Sequence, residues 1–227
     1  MMLFPGWVIG IFEILYFMIL SYGIKNIFTF LNQLNNIIYY WLSFTILTGI
    51  WETSFLITYD SVVYDAKDLI KNETHVWTNR YDFSYTCPWK LSKIFYSEYG
   101  AWADREYMSL TDSWSHTVEG THLIFCAIFS FVGLLSGLER KTTKSLVVTG
   151  MAMAFQLMNS IMYMIQYGIQ CNDIHSINYY NNTNFPLGIA MIDRPFMYVN
   201  IFWLIMPTYI IFNEIINVNS YDLKRIN

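Results

Sequence analysis

The sequence predicts an all-α, polytopic membrane protein, a bundle of five transmembrane helices, and three observations lead there. Of the 227 residues, 55% are hydrophobic and only 13% charged, against about 25% charged in a typical soluble domain. Five apolar runs reach roughly the 20 residues that cross a hydrocarbon core. No Pro-, Gly- or Ser-rich linker and no internal repeat divides the chain, so residues 1–227 read as a single membrane domain.

The first span, Leu3–Gly23, has no basic segment ahead of its apolar core and no clear small-residue cleavage site after it. It therefore reads as a retained helix rather than a signal peptide. The second, Ile37–Tyr59, is followed by a polar stretch, Asp60 to Asp112, that holds most of the charge and several Trp and Tyr. The third, Ser113–Leu138, and the fourth, Ser145–Gly168, are joined by the tight turn Gly-Leu-Glu-Arg-Lys-Thr-Thr-Lys-Ser. Such a turn makes them antiparallel neighbours. A polar, Asn-rich loop, Ile169–Arg194, leads to the fifth, Pro195–Ile216.

Five spans place the termini on opposite sides. Lys25, Arg140, Lys141, Lys144, Lys224 and Arg225 fall on one side; Arg194 is the only basic residue in the short loop opposite. Basic residues in the long loop count less, so the C-terminus is expected in the cytoplasm. The sequons at Asn72 and Asn181 fall on the other side, as do Cys87 and Cys171, which could pair in an oxidising lumen or stay free. Cys126, inside span three, reads as a small core residue. The net charge of −4, with no long Lys/Arg tract and no Gly-rich phosphate loop, points to no nucleic-acid partner.

Three carboxylates lie inside apolar runs: Glu13, Glu52 and Glu119. Each costs about 2.5–3.5 kcal/mol at a helix centre on insertion scales, so it is expected to face a cavity or a partner. A carboxylic acid kept neutral by an apolar site is also a proton donor at neutral pH. Thr48 and Glu52 are four apart and share a helix face. Glu119 is three residues from both His116 and His122, within reach of i,i+3 hydrogen bonds. The later spans add Gln156, Asn159 and Gln166, then Asn200 and Trp203. His116 and His122 are six apart and point in poorly related directions, so no metal site is expected.

The run Tyr-Gly-Ala-Trp-Ala-Asp-Arg-Glu-Tyr (Tyr99–Tyr107), then Asp112 and Val118-Glu119-Gly120, resembles the signature of the EXPERA family. That signature is a Glu-Tyr-x-x-x-Asp-x-Arg-Tyr-like run, an Asp, and a Glu seven residues later; Asp112 and Glu119 keep the spacing. Trp102 looks inserted, and Asp104-Arg105-Glu106-Tyr107 rearranges the run. Glu52 stands where the family has its second-span glutamate, and Gln156 matches a span-four glutamine. Asn200-Ile-Phe-Trp203-Leu-Ile-Met-Pro207 is similar to the Asn-x-x-Trp-x-x-x-Pro of the emopamil-binding, sterol Δ8–Δ7 isomerase branch. The resemblance covers roughly residues 41–216. One departure stands out: Thr48 replaces a histidine found four residues before the span-two glutamate, and His122 stands where the family more often has Thr.

The resemblance implies an intramembrane double-bond shift without a cofactor. Glu52 and Glu119 would be the catalytic proton carriers, Asn200 would orient one of them, and the Trp203 ring would face the carbocation. Thr48, Thr121 and His122 would be substrate contacts. The ligand would be a sterol or another lipid, and the setting the endoplasmic reticulum membrane. Two alternatives remain open: a member that binds a sterol or lipid without turnover, and an accessory subunit of a larger membrane complex, in the mitochondrial inner membrane for example. A homodimer is open as well. Asp104, Arg105 and Asp112 read as braces of the long loop, Asp112 as an N-cap of span three.

Overall fold

The computed structural model describes residues 2–107, 113–136, 138, 142–181 and 194–216. Among these the chain is helical apart from one short ribbon, Leu3–Pro5 paired antiparallel with Arg80–Asp82. Asp112, Arg140, Lys141, Lys224, Arg225 and the last two residues of the Asn181 sequon lie outside the described residues.

Helix α1 (Gly6–Ile27) buries a stripe of Gly6, Ile9 and Glu13, then Ser21 and Lys25, while Trp7, Phe12, Ile14, Tyr16 and Ile19 are exposed. That spacing is one helical face against the protein and the rest against an apolar surround. Lys25, near the end of the helix, is held by the Leu34 carbonyl at 2.9 Å and Asn36 Oδ1 at 2.5 Å. After a single turn, α2 (Thr29–Asn32), the chain enters α3, Asn36–Asn72.

At 37 residues and 1.5 Å each, α3 is about 55 Å long, well beyond a hydrocarbon core. Asn35 caps its start by accepting from Ile37 N at 2.8 Å. Its backbone breaks at Thr58 (φ −108°, ψ 18°), near the expected end of span two, and then resumes. Part of the expected long loop is thus helix, with Val62, Val63, Ala66 and Leu69 buried. The helix ends at Glu73, whose φ of 52° is the left-handed conformation common after helix ends.

A 3₁₀ turn, Phe83–Thr86, succeeds the ribbon and precedes α4 (Pro88–Trp102). Proline at the first helical position removes a backbone N–H that has no partner there. Helices α3 and α4 make the most extensive helix pair in the fold. Small hydroxyls tie them together: Ser54 Oγ donates to the Trp89 carbonyl and Ser92 Oγ to the Trp51 carbonyl, both at 2.6 Å. Glu98 on α4 accepts from Val76 N at 3.0 Å and meets His75 Nδ1 at 2.7 Å, which holds the turn after α3.

Helix α5 spans Trp114–Leu135, and residues His122–Ile128 within it are π-helical. Helix α6 (Thr143–Asn172) is capped by Thr142 Oγ1, which accepts from Ser145 N at 3.2 Å. A 3₁₀ turn, Pro195–Tyr198, precedes α7 (Val199–Ile210), which continues as a π-helical turn through Ile216. Helices α1, α5 and α6 are long and apolar enough to cross a membrane. Helix α3 carries Thr, Trp, Tyr and Glu through its first half, which lowers its hydropathy, and α7 is shorter.

Glycine sets how closely three pairs of elements approach. A Cβ on Gly49 of α3 would lie 2.5 Å from Ala127 Cβ of α5, and one on Gly133 would lie 2.4 Å from Thr149 Oγ1 of α6. A Cβ on Gly6 would lie 2.1 Å from the Val76 carbonyl oxygen. Cys87, Cys126 and Cys171 are all free. The pairing considered for Cys87 and Cys171 is therefore absent: Cys171 packs in the core around Tyr163 and Tyr167, while Cys87 sits at the start of α4.

Gly6→Ala and Gly23→Ala make a controlled pair. The Val76 carbonyl cannot rotate aside as a side chain can, so Gly6→Ala is expected to destabilise by about 1–3 kcal/mol. Nothing lies within 4 Å of a Cβ on Gly23, so Gly23→Ala should be neutral or gain about 1 kcal/mol from helix propensity. Thermal unfolding in detergent reads the difference; equal Tm shifts for the two would contradict the close approach.

Candidate active site between helices α3, α4, α5, α6 and α7

A cavity of about 310 Å³ lies in the bundle, at the lower end of the range for small-molecule pockets. It is lined by Thr48, Glu52, Glu119, His122, Asn200 and Trp203 together with tyrosines from α4, α6 and the segment after α4. Six of the seven residues singled out from the sequence thus share one pocket. The seventh, Thr121, does not: it is exposed, and its hydroxyl donates to the Thr117 and Val118 carbonyls at 2.7 and 3.0 Å. The cause is helical phase. At about 100° per residue, Thr121 lies far around the helix from Glu119, whereas His122, three residues on, returns to the same face.

Glu52 is 4% exposed. Its Oε1 is in close contact with His122 Nδ1, and its Oε2 has no hydrogen-bond partner among the described residues. The expected helper on the same helix face, Thr48, does not reach it. The Thr48 hydroxyl donates to the Thr45 carbonyl at 2.8 Å, the local bond that Thr commonly makes inside a helix. An imidazole therefore does adjoin the α3 glutamate, but it arrives from α5.

Glu119 is held differently. Tyr96 OH donates to Oε2 at 2.7 Å, and Tyr107 OH donates to Oε1. Neither His116 nor His122 is its partner in these bonds; His116 instead packs on Tyr59, ring centroids 4.1 Å apart. Two phenol donors engage both carboxyl oxygens of Glu119. The two carboxyls on one cavity thus differ: Glu119 has both oxygens engaged by donors, and Glu52 has one oxygen free.

Trp203 lies in the cavity wall, stacked on Phe44 at 5.6 Å with a 15° interplanar angle and edge-on to His122 at 5.4 Å. Among the described residues Asn200 makes no hydrogen bond to either glutamate. Its Nδ2 donates to Tyr99 OH at 3.2 Å, joining a chain that runs through Tyr99 and Tyr163 to Asp104. Trp51 Nε1, also in the wall, has no acceptor among the described residues. The pocket therefore presents Glu52 Oε2 and Trp51 Nε1, neither of which has a hydrogen-bond partner among the described residues. Among the described residues no three His, Cys, Asp or Glu side chains are grouped to hold a metal ion.

Sequence reasoning missed the four pocket tyrosines, Tyr96, Tyr99, Tyr107 and Tyr163, and what fixes them. Tyr96 and Tyr99, three apart on α4, share a face, which was a readable signal. Asp104 is 1% exposed and braces the segment after α4 through hydrogen bonds. Its Oδ1 accepts from Asn178 Nδ2 at 2.5 Å and from Tyr107 N at 2.9 Å, and its Oδ2 from Tyr163 OH at 2.8 Å. Burial pushes the Asp104 carboxyl up, against the pull of those donors. Arg194, also fully buried, donates to Tyr167 OH at 2.6 Å and to the Asn178 carbonyl at 2.8 Å. Arg105 lies over the Trp102 ring and donates from Nε to the Ala101 carbonyl at 3.1 Å.

Glu13 is absent from the pocket lining. It is 1% exposed, and neither carboxylate oxygen has a partner among the described residues.

Removing His122 strips a buried carboxyl of its polar neighbour, and leaving a buried polar group unanswered costs about 1–3 kcal/mol. His122→Phe should therefore destabilise by that order, and adding Glu52→Gln should restore part of it. Additive losses in a double-mutant cycle would show that the two side chains do not interact. No family model, curated protein or solved structure matches this chain.

Proposed function

We propose that the chain is an EXPERA-like intramembrane isomerase that shifts a double bond in a sterol-like ring system, with Glu52 as acid and Glu119 as base. The observation that carries this reading is the unequal environment of two carboxyls on one apolar, aromatic-lined cavity. A pair of acids whose surroundings differ in this way divides into donor and acceptor.

In this mechanism Glu52 Oε2 delivers its proton to one alkene carbon. The π pair forms the new C–H bond, and the other alkene carbon becomes cationic. Glu119, held by Tyr96 and Tyr107, takes a proton from the carbon on the far side of the cation. That C–H pair becomes the new double bond, one position along. Net transfer of the proton from Glu119 back to Glu52 resets the site, so no external acid, base or redox partner is consumed. The Trp203 face attracts the cation by about 2 kcal/mol when desolvated, and the apolar walls exclude the water that would trap it as an alcohol. His122 contributes the imidazole that Thr48 does not.

The setting that fits is a five-span bundle in the endoplasmic reticulum membrane, with α3 and α7 completing the three strongly apolar helices and the C-terminus in the cytoplasm. Asn72, exposed at the far end of α3, would then meet the lumen. A mitochondrial inner membrane subunit is the alternative setting. Binding a sterol without turnover is the second reading of the site, favoured by Thr48, whose hydroxyl is committed to its own helix.

Membranes carrying the chain, incubated with a Δ8-sterol, should yield the Δ7 isomer. Glu119→Gln should lower the rate by about 100-fold or more, the usual weight of general acid–base catalysis. Bound sterol without product would support the binding reading; unchanged turnover in Glu119→Gln would remove Glu119 from the chemistry.

A further inference from the structure

Beside the acid, four buried side chains form a hydrogen-bonded chain whose directions are fixed at one end. Trp41 Nε1 lies 3.0 Å from Gln156 Oε1. An indole N–H can only donate, so this contact identifies the Gln156 oxygen and leaves its amino group pointing the other way. That group lies 3.4 Å from Thr45 Oγ1 and 3.1 Å from His122 Nε2. Thr45 agrees with the assignment: its own proton goes to the Trp41 carbonyl at 3.0 Å, so its oxygen faces Gln156 as an acceptor. Both Gln156 N–H bonds are then committed, one of them to His122 Nε2.

A nitrogen that accepts a hydrogen bond carries no proton. The geometry points to Trp41 and Gln156 as positioning residues that hold His122 as the neutral Nδ1–H tautomer, with Nδ1 lying against Glu52 Oε1. Burial makes the assignment binding: Gln156 and Thr45 are fully buried, and Trp41 and His122 are each 8% exposed. No bulk water offers Nε2 another partner, and an added proton there would meet the Gln156 amino group. The titratable neighbours of the imidazole are Glu52, Glu119 and Cys126, the last one turn further along α5.

The consequence falls on Glu52. With the protonated Nδ1 packed against Oε1, the carboxyl proton has Oε2 as its place, and Oε2 has no partner among the described residues. Trp41 and Gln156 would thus set which oxygen of Glu52 meets a ligand while touching neither the ligand nor Glu52. The bearing on turnover rests on the isomerase reading. The tautomer does not, so the two can fail separately.

Imidazole nitrogen-15 spectra of the full chain in lipid nanodiscs test this, with the His122 signals identified by their loss in His122→Asn. Near neutral pH, Nδ1 should show the protonated shift and Nε2 the unprotonated one. Gln156→Glu, which places an acceptor opposite Nε2, should move Nε2 to the protonated shift. Trp41→Phe keeps a ring against Trp203 and removes only the fixed donor; Gln156 can then turn, and a protonated Nε2 population should appear. A wild-type His122 protonated on Nε2 would overturn the assignment. So would an unchanged His122 spectrum in Trp41→Phe, which keeps the test decisive if Gln156→Glu fails to fold.

Discussion

The contact between Glu52 and His122 is the constraint on which the rest of the site depends. A carboxyl in the middle of an apolar helix is costly unless something answers it, and for Glu52 the answer comes from a different helix. That requires α3 and α5 to lie close together. Gly49, one turn before Glu52, meets Ala127 where any larger side chain would hold the helices apart. The π-helical stretch begins at His122 itself, and π-turns of this kind frequently mark functional positions. Close approach, helical irregularity and buried polar pair are three aspects of one arrangement.

Glu119 is supported from the opposite direction. Its phenol donors come from α4 and from the segment after it, so the fold must bring α4 alongside α3 and then fasten the stretch that carries Tyr107. The Ser54 and Ser92 bonds do the first. Asp104 does the second: it receives Tyr107 N and Asn178 on one oxygen and Tyr163 on the other. Arg194, from the entry to α7, ties Tyr167 and the Asn178 carbonyl into the same knot. A polar network remote from the carboxyls thus fixes the tyrosines that hold one of them.

Much of this was legible in the residues, and the remainder was hidden for physical reasons. Hydropathy and length give α1, α5 and α6 directly, because each is a long apolar run. Helix α3 is harder to read: Asp60, Asp65, Lys67 and Asp68 suggest a loop, yet Val62, Val63, Ala66 and Leu69 keep the helical spacing of a buried face. Glu52, Glu119, His122, Asn200 and Trp203 could be singled out because buried polar groups are costly and therefore rare. Their pairing could not. A local rule assigns Thr48 to Glu52 and the histidines to Glu119, but an intrahelical carbonyl satisfies Thr48 first, and partners from α5, from α4 and from the segment after α4 take the two carboxyls. Thr121 was misplaced by the reverse error, since proximity in sequence ignored its angle around the helix.

Glu52, Glu119 and Trp203 line one cavity, which on the proposed reading takes a flat, ring-shaped lipid. An experimental structure of the full chain with an added Δ8-sterol tests it most directly. Planar density is expected inside the cavity, with the ring system beside Trp203 and between Glu52 Oε2 and Glu119. Sterol density confined to the outer faces of the helices, or a cavity filled by side chains of a neighbouring subunit, would contradict it.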